Sequence, residues 1–210
     1  MPLRLLTAGE SHGPALVAVL EGLPAGLPID ETIIDEQLHR RQIGYGAGPR
    51  MKLERDHAQI ISGVMEGVTT GAPLALMIEN LDHAKWRGKA VEAFTTPRPG
   101  HVDLAGVIKY GYTDIRPGLE RASARETAAR VAAGAVCLQL LSHFGIKVGG
   151  YVISIGEVES SLENMPYPER IRRAEESDVR CPDPQGADAM RERIRQVMQE
   201  RDTLGGVIEV

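Results

Sequence analysis

The pentapeptide Gly9-Glu10-Ser11-His12-Gly13 sets a hydroxyl beside an imidazole and frames both with glycine. An imidazole titrates near neutrality, so His12 is equipped to give or take a proton at working pH. Glycine allows close approach of a ligand and backbone angles that other residues avoid. Taken alone, the pentapeptide reads first as an ordinary turn between two strands. Two later stretches share its character. Arg98-Pro99-Gly100-His101 holds a cation and a second imidazole at a Pro-Gly turn, and Arg121-Ala122-Ser123-Ala124-Arg125 follows Gly118. Each precedes a predicted helix, whose first N–H groups are open to an anion. Brought together, the three stretches would make a pocket that binds phosphate and moves protons. Ser11-His12 as a nucleophilic dyad is disfavoured, because adjacent residues of an extended strand point to opposite faces. No His, Asp or Glu pair has ligand spacing on a convincing helix, so no metal is expected.

These groups must be positioned by the elements between them. Leu3–Thr7 and Leu16–Glu21 read as strands on either side of the pentapeptide. Asp30 is placed to cap a helix running to Gln42, with Arg40 and Arg41 in its last turn, where cations favour the helix dipole. The glycine-rich 44–51 reads as a loop with an arginine at each end, Arg41 and Arg50, able to close over a ligand. Met51–Glu54, Ala58–Val64 and Ala72–Glu79 suggest an antiparallel meander, and 80–96 a long loop. A helix is predicted over His101–Tyr110. Ser123-Ala124-Arg125-Glu126 has the pattern of a capping box ahead of a helix over Thr127–His143, stopped by Gly145. That helix is so rich in alanine that its neighbours must approach closely. Ile146–Val158 reads as a long strand broken at Gly149-Gly150. Asp188–Arg201 reads as a covering helix with Met190, Ile194 and Val197 in one stripe, and 205–210 as the start of a strand.

Composition narrows the class. With 42% hydrophobic and 25% charged residues the chain is that of an ordinary globular protein. No run approaches the roughly 18 apolar residues of a membrane helix, and no signal peptide is evident, so a cytoplasmic protein without a membrane partner is expected. The formal charge of −5 argues against nucleic acid as a partner. Two cysteines make neither a disulfide framework nor a thiolate metal site. Arginines beside glycine turns in a mildly acidic chain suggest a small anionic ligand.

The pentapeptide through Glu21-Gly22-Leu23-Pro24, the Arg98–His101 turn, and Glu120–Thr127 through Arg130–Gly134, in this order, resemble the chorismate synthase family. The resemblance implies an α+β fold with antiparallel sheets sandwiching helices, of which 1–210 would be the amino-terminal part of a single domain. It implies elimination of phosphate from 5-enolpyruvylshikimate 3-phosphate with reduced FMN, in a homotetramer. NADPH, or a separate flavin reductase, would supply the electrons. His12 and His101 would be catalytic, and Ser11, Arg41, Arg50, Arg98 and Arg125 would face the substrate. Arg121, Ala122 and Ser123 would hold the flavin. The chain departs from the family's Gly-Tyr-Gly-Arg loop at Ala47, which removes one phosphate-directed cation. A relative that binds flavin or anions without turnover is the competing expectation.

Overall fold

The computed structural model describes residues 2–46 and 54–210, which fall into two compact units. The first comprises the chain up to Gln42 and the stretch that ends at Phe144; the second comprises Gly145–Val210 with the short segment beginning at Ile43.

In the first unit, strands β1 (Arg4–Ala8), β2 (Ala15–Glu21), β3 (Ala58–Ser62) and β6 (Leu74–Glu79) form an antiparallel sheet in the order β1-β2-β6-β3. Leu16, Ala18 and Leu20 alternate along β2, opposite Ile78, Leu76 and Leu74 of β6. All six are buried, because a period of two sends every second side chain to the same face. That face is covered by α1 (Glu31–Gln42), through Ile34 and Leu38, and by the helix Thr127–His143. Buried Ala128, Ala129, Ala132, Ala133 and Ala135 on the long helix leave room for the sheet's leucines and isoleucines. Gln139 of that helix bonds both the N–H and the carbonyl of Asp30, and Asp30 accepts from Thr32 at the start of α1, as the expected cap does.

The expected meander is corrected. A hairpin of β4 (Val64–Met65) and β5 (Val68–Thr69) interrupts it, and β6 then enters between β2 and β3. Glu66 and Gly67, both at positive φ, make the hairpin turn, the geometry that matches strand twist. The first of the three expected strands is not seen at Glu54, and its residues 51–53 lie outside the described residues, as do Ala47 and Arg50. The expected loop over 80–96 contains a short helix, α2 (His83–Trp86). Helix α3 (Asp103–Tyr110) starts two residues after His101. Gly118 sits inside α4 (Arg116–Arg121), where a turn was expected; Pro117 is tolerated because it lies in the first turn. Ser123 caps a short 3-10 turn, Ala124–Glu126, that leads into α5 (Thr127–His143), by accepting from the Arg125 N–H. The Glu126 carboxylate accepts from Thr7 and Arg130.

The second unit is an antiparallel sheet in the order β8-β7-β9, from β7 (Tyr151–Ile155), β8 (Val158–Glu159) and β9 (Gly206–Glu209), with helices α6 (Tyr167–Glu175) and α7 (Pro184–Glu200). The expected long strand begins only at Tyr151 and turns at Gly156. Helix α6 went unread because its early proline looked like punctuation, although proline suits a first helical turn. Asp183 caps α7 four residues earlier than expected, and Met190 and Val197 of its stripe are buried. Their core includes Val179, Cys181 and Ala187, with Tyr45 packed against it.

The close approach of α5 to the sheet gives a paired test. Ala132→Leu overfills the interface and is expected to destabilise by about 1–3 kcal/mol. Gly134→Ala, on the open side of the same helix, is expected to stabilise by about 0.5–1 kcal/mol. Urea denaturation of both variants measures the contrast; equal effects would contradict the packing described.

Candidate active site

The turn after β1 is shaped by Gly9. Its φ is +107°, and a Cβ there would lie 2.4 Å from the Ala15 carbonyl oxygen, so only glycine lets the chain double back this tightly. Buried Asn80, just past β6, donates to the carbonyls of Glu10 and Gly13 at 3.1 and 2.8 Å. Asn80 is itself held by Arg125, whose Nε donates to its Oδ1 at 2.7 Å. The turn is therefore clipped from below.

Ser11 and His12 occupy this turn, not an extended strand, and that removes the sequence argument against their meeting. Ser11 Oγ lies 3.1 Å from His12 Nδ1. Both also reach Glu120 of α4. Its Oε1 is 2.7 Å from His12 Nδ1, and its Oε2 accepts from Ser11 Oγ at 2.9 Å and from the His12 N–H at 2.8 Å. Burial alone would raise the Glu120 pKa, but the donors of His12 and Ser11 outweigh it and hold the carboxyl below its ordinary value. A carboxylate only accepts, so Nδ1 carries the ring proton and Nε2 is the nitrogen available for transfer. Trp86 lies against the imidazole with ring centroids 4.5 Å apart, and Asp82 Oδ2 is 4.0 Å from Nε2.

Arg98 is gripped by Asp103 at the start of α3. The carboxylate accepts from the Arg98 N–H at 3.0 Å, from Nε at 2.8 Å and from Nη2 at 3.0 Å. These bonds hold the buried Asp103 carboxyl down to about 2 and raise the Arg98 pKa. His101 stands exposed above this clip, with Nδ1 donating to the Pro99 carbonyl at 2.9 Å.

Arg121, at the end of α4, donates through Nη2 to the carbonyl and hydroxyl of Thr7, at 2.8 and 2.6 Å. Its Nη1 is buried without a hydrogen-bond partner among the described residues. Ser11, His12, Arg98, His101, Arg121, Ala122 and Ser123 all line one cavity of about 910 Å³, to which Thr127 and Arg130 also contribute. That volume is in the range of ligand sites, roughly 300–1,000 Å³.

Arg125 and Arg41 do not line it. Arg125 is buried, with its guanidinium donating to Asn80, Asp56 and the Glu79 carbonyl. Arg41 donates to Thr127, the Ala124 carbonyl and Asp56. Both arginines hold the start of α5 against its surroundings. Sequence reasoning passed over Glu120, Asn80, Asp82 and Trp86, although Glu120 stands in the same Gly-Leu-Glu-Arg stretch that drew attention to Arg121.

Fold and site together define an α+β protein whose cavity collects imidazoles, hydroxyls and arginines suited to an anionic small molecule. The family profile described as chorismate synthase matches residues 3–210. The chain is 51% identical to the chorismate synthase of Symbiobacterium thermophilum, over 99% of this chain and 57% of that protein. It is likewise 51% identical to that of Aquifex aeolicus, over 99% of this chain and 56% of the other. A solved crystal structure of chorismate synthase superposes with a TM-score of 0.81 at 44% identity, covering 99% of this chain and 56% of that one. The chain belongs to the chorismate synthase family, and it spans a little over half the length of these relatives.

The Arg98–Asp103 clip makes an acid-range prediction. A carboxyl with a lowered folded pKa adds stability that is complete above its unfolded value near 3.8 and is lost as pH falls through about 2. Relative to Asp103→Asn, the parent is expected to hold a constant advantage above about pH 5 that shrinks between about pH 4 and 2. Urea unfolding of both proteins across that range measures it; an advantage independent of pH would contradict the ion pair.

Proposed function

We propose that the full-length protein is a chorismate synthase: it eliminates phosphate from 5-enolpyruvylshikimate 3-phosphate to give chorismate. The observation that carries this reading is the convergence of His12, His101, Ser11, Arg98 and Arg121 on one cavity in a chain of this family. The substrate bears a phosphate and two carboxylates, and guanidinium groups match such oxyanions with paired hydrogen bonds. Arg130 is the cation of the cavity best placed to meet them, while Arg98 serves through its clip to hold the His101 turn. For Arg125 and Arg41 the bonds described above favour support of the pocket wall over direct substrate contact. Arg50 belongs to the same proposal as a further substrate cation.

Expulsion of phosphate places negative charge on the leaving oxygen as the carbon–oxygen bond breaks, and a proton delivered there lowers the barrier. In this reading His12 delivers it from Nε2. Donation returns the ring to the neutral form with its proton on Nδ1, the form that Glu120 holds. Trp86, against the ring, limits water at the same place.

Reduced FMN fits the donors present. The unpartnered Nη1 of Arg121 and the hydroxyl of Ser123 suit a phosphate and a polar ring edge, so Arg121, Ala122 and Ser123 would hold it. When bound, the reduced flavin supplies electron density to the substrate. The same proposal includes the homotetramer, the cytoplasmic location, the single domain of which 1–210 is the amino-terminal part, and NADPH or an external reductase as electron source.

The test is chorismate and phosphate release by the full-length protein with reduced FMN and the shikimate phosphate. His12→Ala and His101→Ala are each expected to lower kcat by about 10²-fold or more, with flavin affinity changed far less. Turnover equal to the parent in both variants, or none in the parent, would overturn the assignment.

A further inference from the structure

We infer that Glu120 is a positioning residue of the reaction centre, acting through His12 by fixing which ring nitrogen carries the proton and through Ser11 by fixing its hydroxyl. The inference rests on the function proposed above, but it concerns a residue outside the groups there assigned to the substrate, the flavin or the proton delivered. Three donors meet one carboxylate: the His12 ring at 2.7 Å, the His12 N–H at 2.8 Å and the Ser11 hydroxyl at 2.9 Å. The Glu120 carbonyl accepts a fourth, the Ser11 N–H at 3.1 Å. The turn and the end of α4 are thereby joined across 108 positions of sequence. With the hydroxyl proton directed to Oε2 and the ring proton to Oε1, the 3.1 Å approach of Ser11 to His12 is not a nucleophile–base bond. Ser11 is instead a second arm of the same clamp.

Among the described residues, the other groups facing this pair are few. Asp82 Oδ2 stands 4.0 Å from His12 Nε2 and accepts from Trp86 Nε1 at 3.1 Å, Lys85 pairs with Asp82 Oδ1 at 3.0 Å, and His83 Nδ1 donates to the His12 carbonyl at 2.8 Å. Arg116, at the start of α4, is paired with Asp114 and also lies close enough to feel Glu120. Of these, Glu120 is the group bonded to the imidazole through a ring nitrogen.

The chemistry of an amide separates positioning from mere support. In Glu120→Gln the side chain keeps its shape but has one oxygen and one NH2. The Ser11 hydroxyl and the His12 N–H both donate toward the Oε2 position, so the amide oxygen settles there and the NH2 turns toward the ring. His12 Nδ1 must then accept, and the neutral ring keeps its proton on Nε2.

The experiment uses the full-length protein. Long-range proton–nitrogen spectra of His12 are expected to show the neutral ring protonated on Nδ1 in the parent and on Nε2 in Glu120→Gln. Turnover of the shikimate phosphate with reduced FMN is expected to fall about 10²-fold in kcat for Glu120→Gln, with KM changed by a factor of about three or less. In a His12→Ala background, Glu120→Gln is expected to cost a further factor of about three or less, because its partner is already gone. A ring protonated on Nδ1 in both parent and Glu120→Gln would overturn the inference. So would a loss of kcat in the His12→Ala background as large as in the parent. If the parent forms no chorismate, the proposed function fails, and the spectra still decide whether Glu120 sets the proton.

Discussion

The buried guanidinium of Arg125 is the constraint on which the rest of this site depends. It meets Asp56, Asn80, the Glu79 carbonyl and, at 3.8 Å, Glu54. A charge removed from water must be matched on every side, and losing one partner of such a buried pair commonly costs about 3–5 kcal/mol. The arrangement has a second consequence. By fixing the amide of Asn80, it leaves the Asn80 NH2 pointing at the carbonyls of Glu10 and Gly13. Glu54 meanwhile receives the N–H groups of Leu81 and Asp82, so the chain leaving β6 is set by the same network. One cation thus orders the wall that carries the Ser11-His12 turn on one side and Asp82 and Trp86 on the other.

Much of the framework was legible because it rests on periodicity. Alternation along β2 and β6 and the alanine run of α5 each specify a face, and those faces meet in the observed core. Less was legible where one residue plays an unusual part. Pro117 and Pro168 begin helices, and Gly118 lies within one, so residues that usually interrupt a helix concealed α4 and α6. Strand order was also hidden, because a two-residue turn at Glu66-Gly67 looks alike in a meander and in an inserted hairpin.

The site shows the same division. The histidines and glycines announced themselves by type and neighbourhood, and the cavity does gather His12, His101, Ser11 and Arg121. The arginines were harder to read, since a guanidinium that binds a ligand and one that binds a carboxylate are the same letter. Arg98, Arg116 and Arg125 have carboxylates as partners supplied from within the fold. Only the three-dimensional arrangement distinguishes an arginine that supports the pocket from one with a donor to spare.

Arg121 is of the second kind, and its unpartnered Nη1 bears on selectivity. That donor has shed its water before any ligand arrives, so a ligand oxygen that reaches it gives up only its own hydration. A ligand of equal size that covers the position without an acceptor leaves that gain unclaimed, a difference of about 1–3 kcal/mol. Discrimination of roughly five- to a hundredfold then follows from what is missing in the wrong ligand. The pocket wall selects by what it rewards.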